Sequence, residues 1–194
     1  MRSAEIQRNT SETNIGLSLE IDGDGSRRIS SGLGFFDHML DLFAKHGLFD
    51  IDLNVSGDLH VDEHHTVEDV GIVLGEAFAQ AVGDKAGICR YSTQFVPMDE
   101  ALAFVSVDFS GRAYLQYSVD CPDRTVGGIS SQIFEEFFRA FATAAKMTLH
   151  IGVLYGSNTH HMIEAVFKAV ARAIRFALED DPRNSGVPST KGVL

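Results

Sequence analysis

The stretch DEHHTVED at 62–69 returns nearly intact as THHMIEAV at 159–166. His64, His65 and Glu68 stand at i, i+1 and i+4. His160, His161 and Glu164 repeat that spacing, displaced by 160 − 64 = 96 residues. Imidazole nitrogens and a carboxylate on one helical face are a donor set for a divalent ion. At about 100° per residue, with His64 at zero, Glu68 falls near 40° and His65 near 100°. Val67, Val70, Leu74, Phe78 and Ala81 gather between roughly 240° and 320° on the same wheel. The donors therefore point away from the apolar stripe. Ile163, Val166, Val170, Ile174 and Ala177 take the same angles in the second copy. One HHxxE copy reads equally well as a solvated polar face, but two copies in phase with the core read as one unit used twice. Adjacent histidines diverge by about 100°, so each is placed to serve a different ion, with the glutamate joining either.

Other elements must bring further donors to these helices. Residues 14–21 alternate, with Ile15, Leu17, Leu19 and Ile21 on one face of a half-buried strand. DGDGS at 22–26 predicts a hairpin turn, with 27–31 as the return strand. A helix over 35–46 turns Phe36, Met39, Leu40 and Phe43 inward and His38 outward, and 50–55 alternates as a strand before the first HHxxE helix at 64–82. The second half repeats the order. Residues 101–109 and 113–120 predict a hairpin across Ser110 and Gly111, 130–145 a helix, and 147–155 a strand. In that strand Met147, Leu149, Ile151 and Val153 take the core face and His150 the opposite one. The second HHxxE helix runs to 179, and YSTQFVPM at 91–98 is an additional strand. Two ββαβα runs imply an α+β fold, helices packed on one face of a sheet and halves related by pseudo-symmetry. The expected halves are 1–90 and 91–180 of one compact domain, with 181–194 a mobile tail or lid.

Composition narrows the partners. At 194 residues with 44% apolar content, the chain is long enough for a substantial core. A formal charge of −11 argues against nucleic acid or an anionic membrane as partner, so an anionic substrate needs a local basic cluster. Cys89 and Cys121 lie in unlike contexts, as reduced thiols of a cytoplasmic protein do. The polar opening MRSAEIQRNTSET is no signal peptide, and no apolar run approaches the ~18 residues of a membrane span.

The chain has eight histidines, at 38, 46, 60, 64, 65, 150, 160 and 161. The two motifs with His38 and His150 supply six histidines and two glutamates, or two sites of three His and one Glu each. Such a site leaves two positions of an octahedral ion open to water or substrate. His46, at the edge of the core stripe, and His60, in a loop, read as structural or solvent-exposed. Lys168, eight residues after His160, lies near 80° on the ligand face. Its counterpart at 168 − 96 = 72 is Ile72, so that cation belongs to one copy only.

With FFDHML, HVDEHHTVED, NTHHMIEA and the terminal STKGVL in order, the chain resembles the imidazoleglycerol-phosphate dehydratase family from SETN at 11–14 to its end. The resemblance implies a duplicated fold of the ribosomal protein S5 domain 2-like type. It implies dehydration of imidazole glycerol phosphate, a small phosphorylated imidazole, to imidazole acetol phosphate in histidine biosynthesis. It further implies two Mn²⁺ per active site and a homo-oligomeric 24-subunit shell with metal sites at subunit interfaces. It makes His38, His64, His65, Glu68, His150, His160, His161 and Glu164 the metal ligands, the set that counting gives. It adds Glu12 as the acid/base residue and Arg90, Arg112, Ser189 and Lys191 as substrate or phosphate contacts, and it places His46 near the phosphate.

A mechanism fits these parts. The C–H to be broken is not beside a carbonyl, so two metals on the ring nitrogens would favour an imidazolate able to expel the hydroxyl. Glu12 would move the proton, and Lys168, Lys191, Arg90 and Arg112 would hold the phosphate. The residues alone leave two other readings open, a di-metal hydrolase and a non-catalytic metal-binding shell.

Overall fold

The computed structural model describes residues 1–194. The first half runs β1 (Ser3–Asn9), β2 (Thr13–Glu20), β3 (Arg27–Ser30), α1 (Gly34–Gly47), β4 (Asp50–Gly57) and α2 (His64–Val82). The second runs β5 (Tyr91–Met98), β6 (Ala101–Asp108), β7 (Tyr114–Ser118), a small hairpin β8 (Thr125–Val126) and β9 (Ile129–Ser130), α3 (Ile133–Ala144), β10 (Thr148–Tyr155) and α4 (Thr159–Leu178). The sheets have matching strand orders, β1-β2-β4-β3 and β5-β6-β10-β7. The α+β class and the duplicated order are as expected, with a further strand opening each half.

Both expected hairpins are wrong in the same way. β3 pairs parallel with β4, Ile29 opposite Leu53, and β7 pairs parallel with β10, Tyr117 opposite Ile151. A strand followed by a helix and another strand forms a parallel crossover, which places the flanking strands side by side. β4 and β10 thus enter between the strands that local turn signals would have joined. The DGDGS turn serves that crossover: Asp50 Oδ1, at the start of β4, accepts from the N–H groups of Asp24, Gly25 and Ser26 at 2.9, 3.0 and 2.9 Å. β1 escaped the sequence reading because only Ala4 and Ile6 mark its inner face.

Alternate residues of β2 and β6 are buried, so each sheet turns one face to helices. α1 and α2 cover the first sheet, α3 and α4 the second, and the halves meet as α2 on α3 and α1 on α4. One continuous cluster of 49 buried apolar residues spans both halves, so the two share one core. At the α2–α3 seam a Cβ on Gly71 or Gly75 would stand 2.6 Å from the carbonyl oxygen of Phe137 or Phe141. Only glycine lets the two backbones approach that closely. No helix is long and apolar enough to cross a membrane.

The outer faces of the sheets differ. The first presents Glu5, Gln7, Ser18 and Asn54. The second presents Tyr91, Phe95 and Tyr114, which remain 67, 60 and 54% exposed.

Candidate functional site

The α1–α4 contact brings the two halves' donors together. His38 stands on the outward side of α1, while His160 and Glu164 lie one turn apart at the start of α4. Glu164 Oε2 is 3.5 Å from His38 Nε2 and 3.2 Å from His160 Nε2, and all three donor atoms fall within 4.8 Å of one another. Glu164 Oε1 pairs with Lys168 Nζ at 2.5 Å, and the carboxylate is only 9% exposed. Burial pushes the Glu164 carboxyl up, but Lys168, with His160 and His38, outweighs it and holds the group below the usual carboxylate range. The site thus keeps a buried anion between imidazoles and an ammonium. His46 borders it: burial, then the cations Lys168 and Arg172, lowers its imidazolium pKa. Its ring is therefore kept neutral beside the Lys168 cation.

The first motif is arranged differently. His64 Nε2 lies 3.9 Å from Glu68 Oε2, a looser pair with both side chains nearly half exposed. The apolar residues of α1 and α3 align at 134 − 36 = 98 residues, Phe36 with Phe134 and Phe43 with Phe141. The position of His38 then falls at Glu136, which lines a cavity with His64 and Glu63. The first motif therefore faces a carboxylate, Glu136 of the second half, where the second motif faces the histidine His38 of the first.

His65 and His161 are each held from behind. His65 Nδ1 lies 2.9 Å from Asp58 Oδ2, and His161 Nδ1 lies 2.7 Å from Glu100 Oε2. The two partners raise the imidazolium pKa of both rings. Glu100 also accepts from the N–H groups of Asn158 at 2.7 Å and Ser157 at 3.0 Å. The His161 contact, then these bonds, pushes its carboxyl down to about 2. Glu12, in the β1–β2 turn, is half exposed with Oε2 3.9 Å from His65 Nδ1. Asp69, buried on α2, anchors that turn: it accepts from the Thr13 hydroxyl and pairs with Arg8 at 2.9 Å. Asp58, Asp69 and Glu100 all escaped the sequence reading. The partners of Asp69 and Glu100 lie far along the chain, and that of Asp58 lies across a loop whose path the sequence does not set. Asp69 alone adjoins a motif, and its helical angle of roughly 140° points it off the ligand face.

His150 lies on the outer face of β10 with its ring 5.7 Å from that of Tyr114. Of the eight candidate ligands, then, one chain gathers His38, His160 and Glu164, and no other His, Cys, Asp or Glu trio meets that closely.

The remaining basic candidates sit near the tail. Arg90 pairs with Asp108 at 2.7 Å and donates to the Pro188 carbonyl at 2.8 Å. Arg112 donates to the Ser110 carbonyl at 3.4 Å. The segment expected as a mobile tail or lid bonds back to the loop after α2: Gly87 donates to Gly186 at 3.0 Å and Asp181 donates to Gly87 at 2.7 Å. Ser189 and Lys191 share one turn, in which the Lys191 N–H donates to Ser189 Oγ at 3.2 Å. The Arg90 bond sets that turn beside a guanidinium.

The family model described as imidazoleglycerol-phosphate dehydratase matches residues 31–174. A protein of that name from Pelobacter propionicus is 59% identical over 193 residues, covering 100% of this chain and 99% of its own. Another from Caldanaerobacter subterraneus subsp. tengcongensis is 58% identical over 194 residues and covers 100% of both. The solved structure of imidazoleglycerol-phosphate dehydratase from Staphylococcus aureus subsp. aureus N315 superposes with a TM-score of 0.84 at 39% identity, covering 92% of this chain and 99% of that one.

Proposed function

The chain belongs to the imidazoleglycerol-phosphate dehydratase family, and on that premise we propose how its residues carry out the reaction. It is a hydro-lyase of histidine biosynthesis. The substrate in this reading is imidazole glycerol phosphate and the product imidazole acetol phosphate. The observation that carries the reading is the meeting of His38, His160 and Glu164 across the two halves. Two imidazole nitrogens and a carboxylate suit a divalent transition ion, and we take Mn²⁺ as that ion, two per active site. His64, His65, Glu68, His150 and His161 complete the donor set. Bound ions supply Lewis acidity toward the substrate's ring nitrogens.

The chain's own residues do the rest. Glu12 gives a proton to the hydroxyl on the carbon beside the ring, which leaves as water, and takes one from the next, hydroxyl-bearing carbon, leaving an enol that ketonises to the product. Asp69 fixes the turn that carries Glu12, and so fixes its reach. Lys168, Arg90, Arg112, Ser189 and Lys191 hold the phosphate, with neutral His46 beside Lys168. A second copy of the chain supplies what one copy leaves open. His150 stands among exposed aromatic residues on the second sheet, a face suited to burial against another subunit. The 24-subunit shell follows from the same reading.

An azole separates this reading from a metallohydrolase or a passive metal-binding shell. 1,2,4-Triazole should inhibit dehydration competitively with substrate, and metal-free protein should not bind it. Triazole that neither inhibits nor binds the metal-loaded protein would contradict substrate binding through the ring.

The tail gives a second expectation. Removing residues 187–194 deletes Ser189, Lys191 and the Pro188 carbonyl that engages Arg90. A lost charge-assisted hydrogen bond is worth about 1.5–3 kcal/mol, so KM should rise about tenfold or more. The core is untouched, and the thermal midpoint should stay where it is. Loss of the midpoint with KM unchanged would make the segment structural.

A further inference from the structure

Two acidic residues occupy the same place in the two halves. β2 begins at Thr13 and β6 at Ala101, each eight residues long, an offset of 101 − 13 = 88. The inner-face residues agree, Ile15 with Ala103, Leu17 with Val105 and Leu19 with Val107. By that offset Glu12 corresponds to Glu100, each directly before its strand. Each faces the second histidine of its own half's motif, Glu12 at 3.9 Å from His65 Nδ1 and Glu100 at 2.7 Å from His161 Nδ1.

The halves differ in what else is available to that histidine. Asp58 is the first residue after β4 and holds His65 Nδ1. The first residue after β10 is Gly156. A Cβ there would lie 2.7 Å from Met162 Cγ and 3.0 Å from Ala101 Cβ, so no aspartate fits. In the second half the clamp falls to Glu100. In the first, Asp58 performs it and Glu12 stays uncommitted, as a proton carrier must.

We propose that Glu100 is a positioning residue for the dehydration. It accepts the Nδ1 proton of His161 and so fixes the tautomer whose free donor is Nε2. The inference rests on His161 being a metal ligand. A ligating histidine commonly gives its other ring N–H to a carboxylate, which sets tautomer and orientation, and losing that partner weakens metal binding about 10- to 100-fold. Glu100 is also bound to the start of α4, through Ser157 and Asn158, so it ties the ring to the helix that bears it.

Glu100→Gln tests this with little change of shape. The two backbone N–H groups hold the amide oxygen where Oε1 was, which turns the NH₂ toward His161. His161 Nδ1 must then accept, and the proton moves to Nε2, the wrong atom for a ligand. The full-length variant should melt like the parent yet bind Mn²⁺ about 10- to 100-fold more weakly in competition with a chelator. Ring ¹⁵N shifts of His161 in metal-free protein, above the imidazolium range, should show the Nδ1–H form in the parent and the Nε2–H form in the variant. Should His161→Ala lose metal while Glu100→Gln keeps both parental affinity and parental tautomer, the positioning role is overturned. Should His161→Ala bind metal as well as the parent, the ligand reading falls first and this inference with it.

Discussion

Glu12→Gln should lower turnover of imidazole glycerol phosphate by about 100-fold or more, the scale of lost acid–base catalysis, while metal content and KM hold. The expectation rests on how little else Glu12 does. Its side chain is half exposed, and its nearest ionic partner, His65, lies 3.9 Å off. The turn around it is fastened by neighbours: Thr13 and Arg8 bind Asp69, and the Thr10 hydroxyl accepts from the Glu12 N–H at 3.1 Å. Glutamine therefore fits without disturbing strand or helix, but it cannot take up and release a proton. Near-normal turnover in this variant would remove Glu12 from the mechanism.

What the sequence made legible follows the reach of each signal. The HHxxE helices, α1 and the central strands were readable because their apolar residues recur at a period that one element sets by itself. Strand pairing was not. The turn after β2 looked like a hairpin turn, and only the crossover through α1 sends β3 to the far side of β4. β7 departs from β6 for the same reason. Among site residues, His38 and His150 stood out by pointing away from a core face, and Lys168 by sharing the face of His160. Glu12 and the arginines came from resemblance, since one carboxylate or cation in a polar loop is like any other. Asp58, Asp69 and Glu100 were invisible because their contacts join residues that only folding brings together. Sequence also overstated the symmetry. Equal motifs sit in unequal surroundings, with Glu136 where His38 would be and Gly156 where Asp58 would be.

That asymmetry bears on the central claim, that this dehydratase works through metal sites completed between copies of the chain. Neighbouring histidines on a helix point about 100° apart, so the pairs His64/His65 and His160/His161 each serve two directions. One chain converges only His38, His160 and Glu164, and His150 faces outward among aromatic residues. If other subunits supply the missing donors, metal binding contributes to the free energy of association. Removing the metal then costs both activity and assembly. The direct measurement is light scattering with a parallel turnover assay, on protein stripped by a chelator and then given Mn²⁺. The stripped protein should be a small, inactive species that regains large size and full turnover together, at about two ions per chain. A single species of unchanged size, turning over substrate at full rate without metal, would contradict it.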